Sequence, residues 1–219
     1  MRIIAVSDLH KNLPEIGPCD LLLIGGDICS AIGDTAAMQQ RWLNDSFQKW
    51  LSAVPARYKA LTAGNHDIAF HKGLVHDLSA SILIDEELTI EDEEKKRWRI
   101  WGAPWTRGEG HWAYECPEDD DLASKWNRIP AGVDILLTHA PPFGSGDGQS
   151  AGSVSLRNRI LKLNPMLVVC GHIHGGYGEF KLGDTMVVNA ALVDENYQMS
   201  KAPVVIDPVE IDRLLAISP

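Results

Sequence analysis

The stretch Met166-Leu167-Val168-Val169-Cys170-Gly171-His172-Ile173-His174 decides how this chain is read. A short apolar run stops at a glycine and gives way to two imidazoles two positions apart. A run without polar alternation predicts a strand covered on both faces. The same pattern recurs upstream. Residues 2–6 run into Ser7-Asp8-Leu9-His10, and residues 20–24 into Gly25-Gly26-Asp27. Residues 59–62 lead to Ala63-Gly64-Asn65-His66-Asp67, and residues 133–137 to Thr138-His139-Ala140-Pro141-Pro142. In α/β folds ligands bind outside the carboxyl ends of the strands, which is where these polar turns fall.

Helical patterns lie between the strands. Residues 35–54 carry Met38, Trp42, Leu43, Phe47, Trp50 and Leu51 at helical spacing, with Pro55 as a stop. The Trp42–Trp50 part of that stripe reads as core. Residues 119–128 and 153–163 are shorter candidates, the first opened by the acidic Glu118-Asp119-Asp120-Asp121, which suits a helix N-terminal turn. The charge run of residues 85–99 separates two β-like stretches, 87–90 and 98–101, and predicts a solvated hairpin turn. Strands punctuated by glycine follow at 177–181, 185–189 and 203–206. The expected fold class is α/β, a four-layer α/β/β/α sandwich of two mixed sheets flanked by helices, forming one domain over residues 1–219.

Composition narrows the function classes. The chain has 219 residues, 45% hydrophobic and 23% charged, the balance of a soluble globular protein. Its net charge of −10 argues against long nucleic acid, whose affinity comes from clustered Lys and Arg. No apolar run approaches a membrane span, so no membrane partner is expected. Cys19, Cys29, Cys116 and Cys170 show no paired pattern and no secretory signal is recognisable, so a reduced cytoplasmic setting is expected. Cys170, at a strand end, reads as a small hydrophobe. Several Trp residues leave a homo-oligomer possible without deciding it.

The residues at the strand ends are metal-capable in type: Asp8, His10, Asp27, Asn65, His139, His172 and His174. In extended geometry Asp8 and His10 would share one side, as would His172 and His174. Taken singly, each admits a plainer reading. Gly-Asn favours a turn, and His139 could be a hydrogen-bonded core histidine. Together, each closing an apolar run, they point to a metal site.

In that order (DxH, GD, GNHD, THxPP, GHxH) the motifs resemble those of the calcineurin-like metallophosphoesterases, and they span Asp8 to His174. Trp101-Gly102-Ala103-Pro104-Trp105, the stretch from Leu136 to Gly144 and Gly176-Tyr177-Gly178 are similar to the small branch that includes brain protein 239. Some members of that branch lack the first His of GHxH, which this chain keeps as His172. The resemblance implies a first ion held by Asp8, His10, Asp27 and His174. It implies a second ion held by Asp27, Asn65, His139 and His172, with Asp27 bridging. Mixed imidazole and oxygen ligation suits Mn²⁺, Fe, Co²⁺, Ni²⁺ or Zn²⁺ better than Ca²⁺ or Mg²⁺, and the family likeness puts Mn²⁺ first.

The expected reaction is hydrolysis of a small or nucleotide-like phosphodiester. Two cations would neutralise the ester and supply a metal-activated hydroxide, while His66, which resembles the family's outer histidine, protonates the leaving oxygen. His66 and Asp27 are therefore the expected catalytic residues, and Asp67 is expected to position its loop. Residues 104–112 and 142–148 should line the mouth. Trp105, Trp112 and Phe143 could stack on a flat group or merely fill loop contacts, Arg107 could fork onto a phosphate, and His111 could touch substrate. His71 and His76 read as surface or structural histidines. A phosphomonoesterase with the same site is the near alternative, and a catalytically silent scaffold a further one, though such proteins lose ligands that this chain retains. A zinc amide hydrolase would leave GNHD unexplained and lacks HExxH.

Overall fold

The structure, a computed structural model, describes residues 1–30, 32–148, 151–209 and 211. In chain order its strands are β1 (Ile3–Val6), β2 (Cys19–Ile24), β3 (Ala56–Leu61), β4 (Ser81–Ile82), β5 (Glu86–Glu91), β6 (Arg97–Ala103), β7 (Thr106–Arg107) and β8 (Glu115–Cys116). They continue as β9 (Ile135–Thr138), β10 (Leu167–Cys170), β11 (Gly178–Leu182), β12 (Thr185–Asn189) and β13 (Val204–Ile206). Helices are α1 (Ala36–Trp42), α2 (Gln48–Ala53), α3 (Ile68–His71), α4 (Asp119–Trp126) and α5 (Val154–Leu163).

One sheet has the order β13-β1-β2-β3-β4 and the other β11-β12-β10-β9-β6-β5. Both are mixed. β1, β2 and β3 run parallel with β13 antiparallel at an edge, while β6, β9, β10 and β12 run parallel between antiparallel β5 and β11. The strands alternate between two apolar environments, which is why they read as continuous apolar runs. Ile3, Ala5, Leu21, Leu23, Ile135, Leu137, Leu167, Val169 and Val188 meet between the sheets. Ile4, Val6, Leu22 and Ile24 face outward onto Leu43, Phe47 and Leu51 of the first helical layer. Leu136, Val168, Cys170 and Val187 face outward onto Leu122, Trp126, Leu156 and Ile160 of α4 and α5. This is the expected α/β/β/α sandwich. Each Leu, Ile, Val or Phe side chain so removed from water contributes about 1.5–3 kcal/mol before chain entropy is set against it.

The expected helix at 35–54 is present but not uniform. Thr35 caps α1 through its side chain, accepting from the Met38 amide, and residues Leu43–Phe47 between α1 and α2 form a π-helical turn. Its inward residues are Gln39, Leu43, Phe47 and Leu51, four apart, and the wider π turn absorbs the excess over 3.6 residues. Met38, in helical register with the core stripe but upstream of it, is 50% exposed, because Gln39 takes the inward position. The hairpin of β5 and β6 forms as expected, its turn tied by Asp92, which accepts from the Glu94 and Lys96 amides and the Trp98 indole. The short α3, β4, β7 and β8 carry no periodicity of their own and were not legible in advance.

The carboxyl ends of the parallel strands of both sheets converge. The Ser7 amide after β1 donates to the Ala190 carbonyl after β12 (2.8 Å), and the Leu192 amide donates back to Ser7 (3.0 Å). The strand-end turns of one sheet are thereby stitched to those of the other.

Candidate metal centre

Two groups of potential ligands form on this seam. Asp8, His10 and His174 offer atoms within 4.8 Å of one another, and so do Asp27, His139 and His172. Asn65, buried, stands beside the second group with Oδ1 3.1 Å from His139 Nε2. Asp27 joins the groups, since its Oδ2 lies 3.8 Å from His10 Nε2 and 3.4 Å from His139 Nε2. All seven nominated residues are thus brought together.

The geometry that gathers them differs from the extended pairs expected. Asp8, His10, Asp27 and His172 all have positive φ (53°, 40°, 49° and 65°), and His174 begins a short 3-10 turn, His174–Gly176. His172 and His174 accordingly serve different groups rather than one side of a strand. Left-handed backbone at non-glycine residues costs about 1–3 kcal/mol each and persists only where surroundings enforce it. Here the enforcement is visible. The Asp8 carboxylate accepts from the His172 amide at both oxygens (3.1 and 3.0 Å), and Asp27 Oδ1 accepts from the His66 amide (2.9 Å). Close approach explains two glycines: a Cβ on Gly64 would overlap the Asp27 carboxylate, and one on Gly171 would overlap Asp8 and Ser7.

The imidazoles are oriented from behind. Nδ1 of His10, His139 and His174 lies 3.1, 2.9 and 3.0 Å from the carbonyl oxygens of Cys29, Gly25 and Asp194. A carbonyl can only accept, so each Nδ1 carries the proton and each Nε2 is directed inward, the arrangement metal-binding histidines need. His10 Nε2 is buried with no hydrogen-bond partner among the described residues. Buried polar atoms are normally satisfied, so an orphan aimed at two carboxylates fits a cation. Among the described residues the ion-pair partners of Asp8 and Asp27 are histidines alone. The donor set therefore fits a pair of divalent ions.

The charges of the side chains themselves follow the same logic. Burial opposes ionisation of Asp27 and Asp8, yet His139 and its neighbours around Asp27, and His174 beside Asp8, hold both carboxyls below their usual range. Burial also opposes a charged His139, but Asp27 prevails and lifts it to about 9. For His172 burial wins, reinforced by the charge of His139, and pushes it down to about 4.

A supporting layer was only partly legible. Asp67 accepts from the amides of Ile28, Cys29 and Gly64 (3.2, 2.8 and 2.8 Å), the positioning role expected of it. Burial and Asp27 raise its carboxyl to about 6. Gln39 donates to the His66 carbonyl and accepts from the Ala69 amide (2.8 and 3.0 Å), steadying the same loop. Asn189 donates to the carbonyls of Gly146 and Ile173 (2.7 and 2.9 Å) and accepts from Ala191 (3.0 Å), holding the turn that bears His172 and His174. Neither Gln39 nor Asn189 stood out in the sequence, because a lone amide in an element has no signature.

Of the loop residues, Trp112 reaches the centre, 44% exposed, its ring edge-to-face with His66 at 4.6 Å. Glu115 holds that loop by accepting from the amides of Gly110, His111 and Trp112 (3.0, 3.0 and 3.1 Å). Trp105 is instead a packing residue: its indole donates to Asp85, and Lys125 sits 3.8 Å over its ring. Phe143 packs half-buried in its own loop, with no aromatic contact to the centre among the described residues. Arg107 is exposed on β7, and His111 is exposed and paired with Glu109 (3.4 Å). His71 packs edge-to-face on Tyr114 and His76 is exposed, as expected.

An α/β/β/α sandwich thus gathers two carboxylates, an amide and four imidazoles, including two candidate metal-binding groups, on the seam between its sheets. Residues 1–176 match the model of the family described as calcineurin-like phosphoesterase. The chain belongs to that family, whose members use divalent metals to hydrolyse phosphoesters. It is 33% identical to metallophosphoesterase domain-containing protein 1 of Homo sapiens over 94% of this chain and 70% of that protein. It is 31% identical to a UPF0046 protein of Caenorhabditis elegans, over 94% and 60% respectively. The crystal structure of TT1561 of Thermus thermophilus shares the fold, with a TM-score of 0.54 at 19% identity, covering 86% of this chain and 88% of that one. Among the described residues no helix is long and apolar enough to cross a membrane.

Proposed function

We propose that this metal-dependent phosphoester hydrolase is a phosphodiesterase acting on small or nucleotide-like diesters, with Mn²⁺ as its preferred ion. Asp8, His10, Asp27 and His174 would hold the first ion, and Asp27, Asn65, His139 and His172 the second, with Asp27 common to both sets. The observation that carries the reading is the placement of Asp27 Oδ2 within 4 Å of imidazoles from both groups. When bound, the ions supply charge neutralisation at the phosphoryl oxygens and a nucleophile usable near neutral pH.

The protein's own groups do the rest. His66 lies in neither ligand group; its amide is bound to Asp27, its carbonyl to Gln39, and its ring stands between His10 and Trp112. A side chain so placed, free of ligation, can carry a proton to a leaving alkoxide, which is worth roughly 10²–10⁴-fold. Lys11, the cation adjoining His10, is paired with Asp34. Four thiols without disulfides agree with a cytoplasmic setting.

The deciding experiment compares bis(4-nitrophenyl) phosphate with 4-nitrophenyl phosphate under Mn²⁺, then a panel of cyclic and linear nucleotides. Higher kcat/KM on the diester supports the reading. A preference for the monoester would replace it with a phosphomonoesterase, and no turnover of either would leave a scaffold.

A further inference from the structure

A row of edge-to-face ring contacts crosses the centre. Trp112 meets His66 (4.6 Å), His66 meets His10 (5.4 Å), and His10 meets Tyr197 (4.7 Å), which also meets His174 (5.6 Å). The inner rings are imidazoles already given roles; the outer two are large, apolar in body and partly exposed. Tyr197 lies far outside the motif-bearing stretch, in a region with no regular element.

Its placement is built. The turn of residues 194–198 is stapled by Asp194, whose Oδ1 accepts from the amides of Asn196 and Gln198 (2.8 and 3.0 Å). The Asp194 amide donates to Gln198 O (2.9 Å), and the Tyr197 amide donates to Asp194 O (3.0 Å). That same carbonyl accepts from His174 Nδ1, so the turn hangs directly from an imidazole of the centre. Lys201 ties it again, donating to the carbonyls of His174 and Val193. Tyr197 has φ 59°, a backbone conformation that glycine or asparagine adopts more easily. The ring is thus kept against that preference, half-buried and in edge-to-face contact with His10 and His174.

We infer that Tyr197 is a second aromatic wall of the substrate site, paired with Trp112, and that it selects phosphoesters carrying a flat ring. This rests on the phosphoesterase reading above and specifies its substrate class. A flat group leaving from a phosphoryl centre over the inner imidazoles has a ring at each end of the row to pack against, and aromatic packing of this kind is worth about tenfold in affinity.

The test uses the full chain loaded with Mn²⁺, as wild type, Tyr197→Phe and Tyr197→Leu. Phenylphosphonate and methylphosphonate serve as binding probes that differ in the flat ring. Wild type should bind phenylphosphonate about tenfold more tightly than methylphosphonate. Tyr197→Leu should lose most of that difference and Tyr197→Phe should keep it, with Mn²⁺ content unchanged in both. On bis(4-nitrophenyl) phosphate, Tyr197→Leu should raise KM about tenfold and alter kcat far less. Equal binding of both probes by wild type overturns the inference without recourse to a variant. Loss of Mn²⁺ from Tyr197→Leu, or parallel weakening of both probes, would reduce the ring to a cover for His10 and His174. An equal loss in Tyr197→Phe would also overturn it, since the ring is retained there. If wild type turns over no ester yet prefers phenylphosphonate in a Tyr197-dependent way, the catalytic reading fails while the wall stands.

Discussion

Replacing Asn189 with alanine should cost about 3–5 kcal/mol and loosen both halves of the metal centre together. Asn189 ends β12 with no exposed surface. Its amide nitrogen lies 2.7 Å from Gly146 O, 2.9 Å from Ile173 O and 3.3 Å from Gly171 O, and its oxygen accepts from Ala191 at 3.0 Å. The nitrogen has two hydrogens, so the three contacts amount to two bonds, one of them shared. With the accepted bond that makes three, at about 1 kcal/mol each. Alanine would also strand buried carbonyls and an amide without partners, a further penalty that takes the total to about 3–5 kcal/mol. Because the turn it braces carries His172 and His174, which belong to different ligand groups, affinity for both ions should fall. Urea unfolding of chelator-treated protein measures the first effect, and metal content after gel filtration the second. The gap between variant and wild type should widen when Mn²⁺ is present, since bound ligand stabilises only the folded state. A loss below about 1 kcal/mol, with both ions retained, would refute the bracing role.

Three further outcomes follow from the site. Asp27→Ala removes the group between both clusters, so metal content should drop and metal-dependent turnover vanish; near-wild-type turnover by a metal-replete variant would reject the shared-ligand role. His66→Ala should slow alkyl esters, whose leaving groups need a proton, by roughly 10²–10⁴-fold and aryl esters far less; equal losses argue against the acid role. Metal uptake should release protons. The ion-free folded pKa of His139, about 9, stands above its ordinary 6.5, so the pair with Asp27 stabilises the ion-free protein fully below pH 6.5 and loses that contribution as pH rises through 9. An ion at His139 displaces the ring's proton, so apparent affinity should climb about tenfold per pH unit between 7 and 9. Calorimetry in two buffers of different ionisation enthalpy reads this directly, and absence of proton release at pH 7.5 would contradict it.

Local order determined a great deal here. Apolar runs closed by Gly, Asp, Asn or His announced β1, β2, β3, β9 and β10 with their ends, because burial on both faces is written in consecutive residues. The metal-capable residues could be named in advance, since each sits immediately after such a run. Residue spacing does not say how they pair: the family likeness implied the split into two groups, and the tertiary structure produces it. His172 and His174 are neighbours in sequence yet serve different groups, and the His172 amide meets Asp8 across 164 positions. Periodicity reports on residues a few places apart and is silent on such distances. The supports Gln39, Asn189 and Glu115, and the ring of Tyr197, act through hydrogen bonds and contacts between remote turns. Only the convergence of the two sheets gives those residues something to hold.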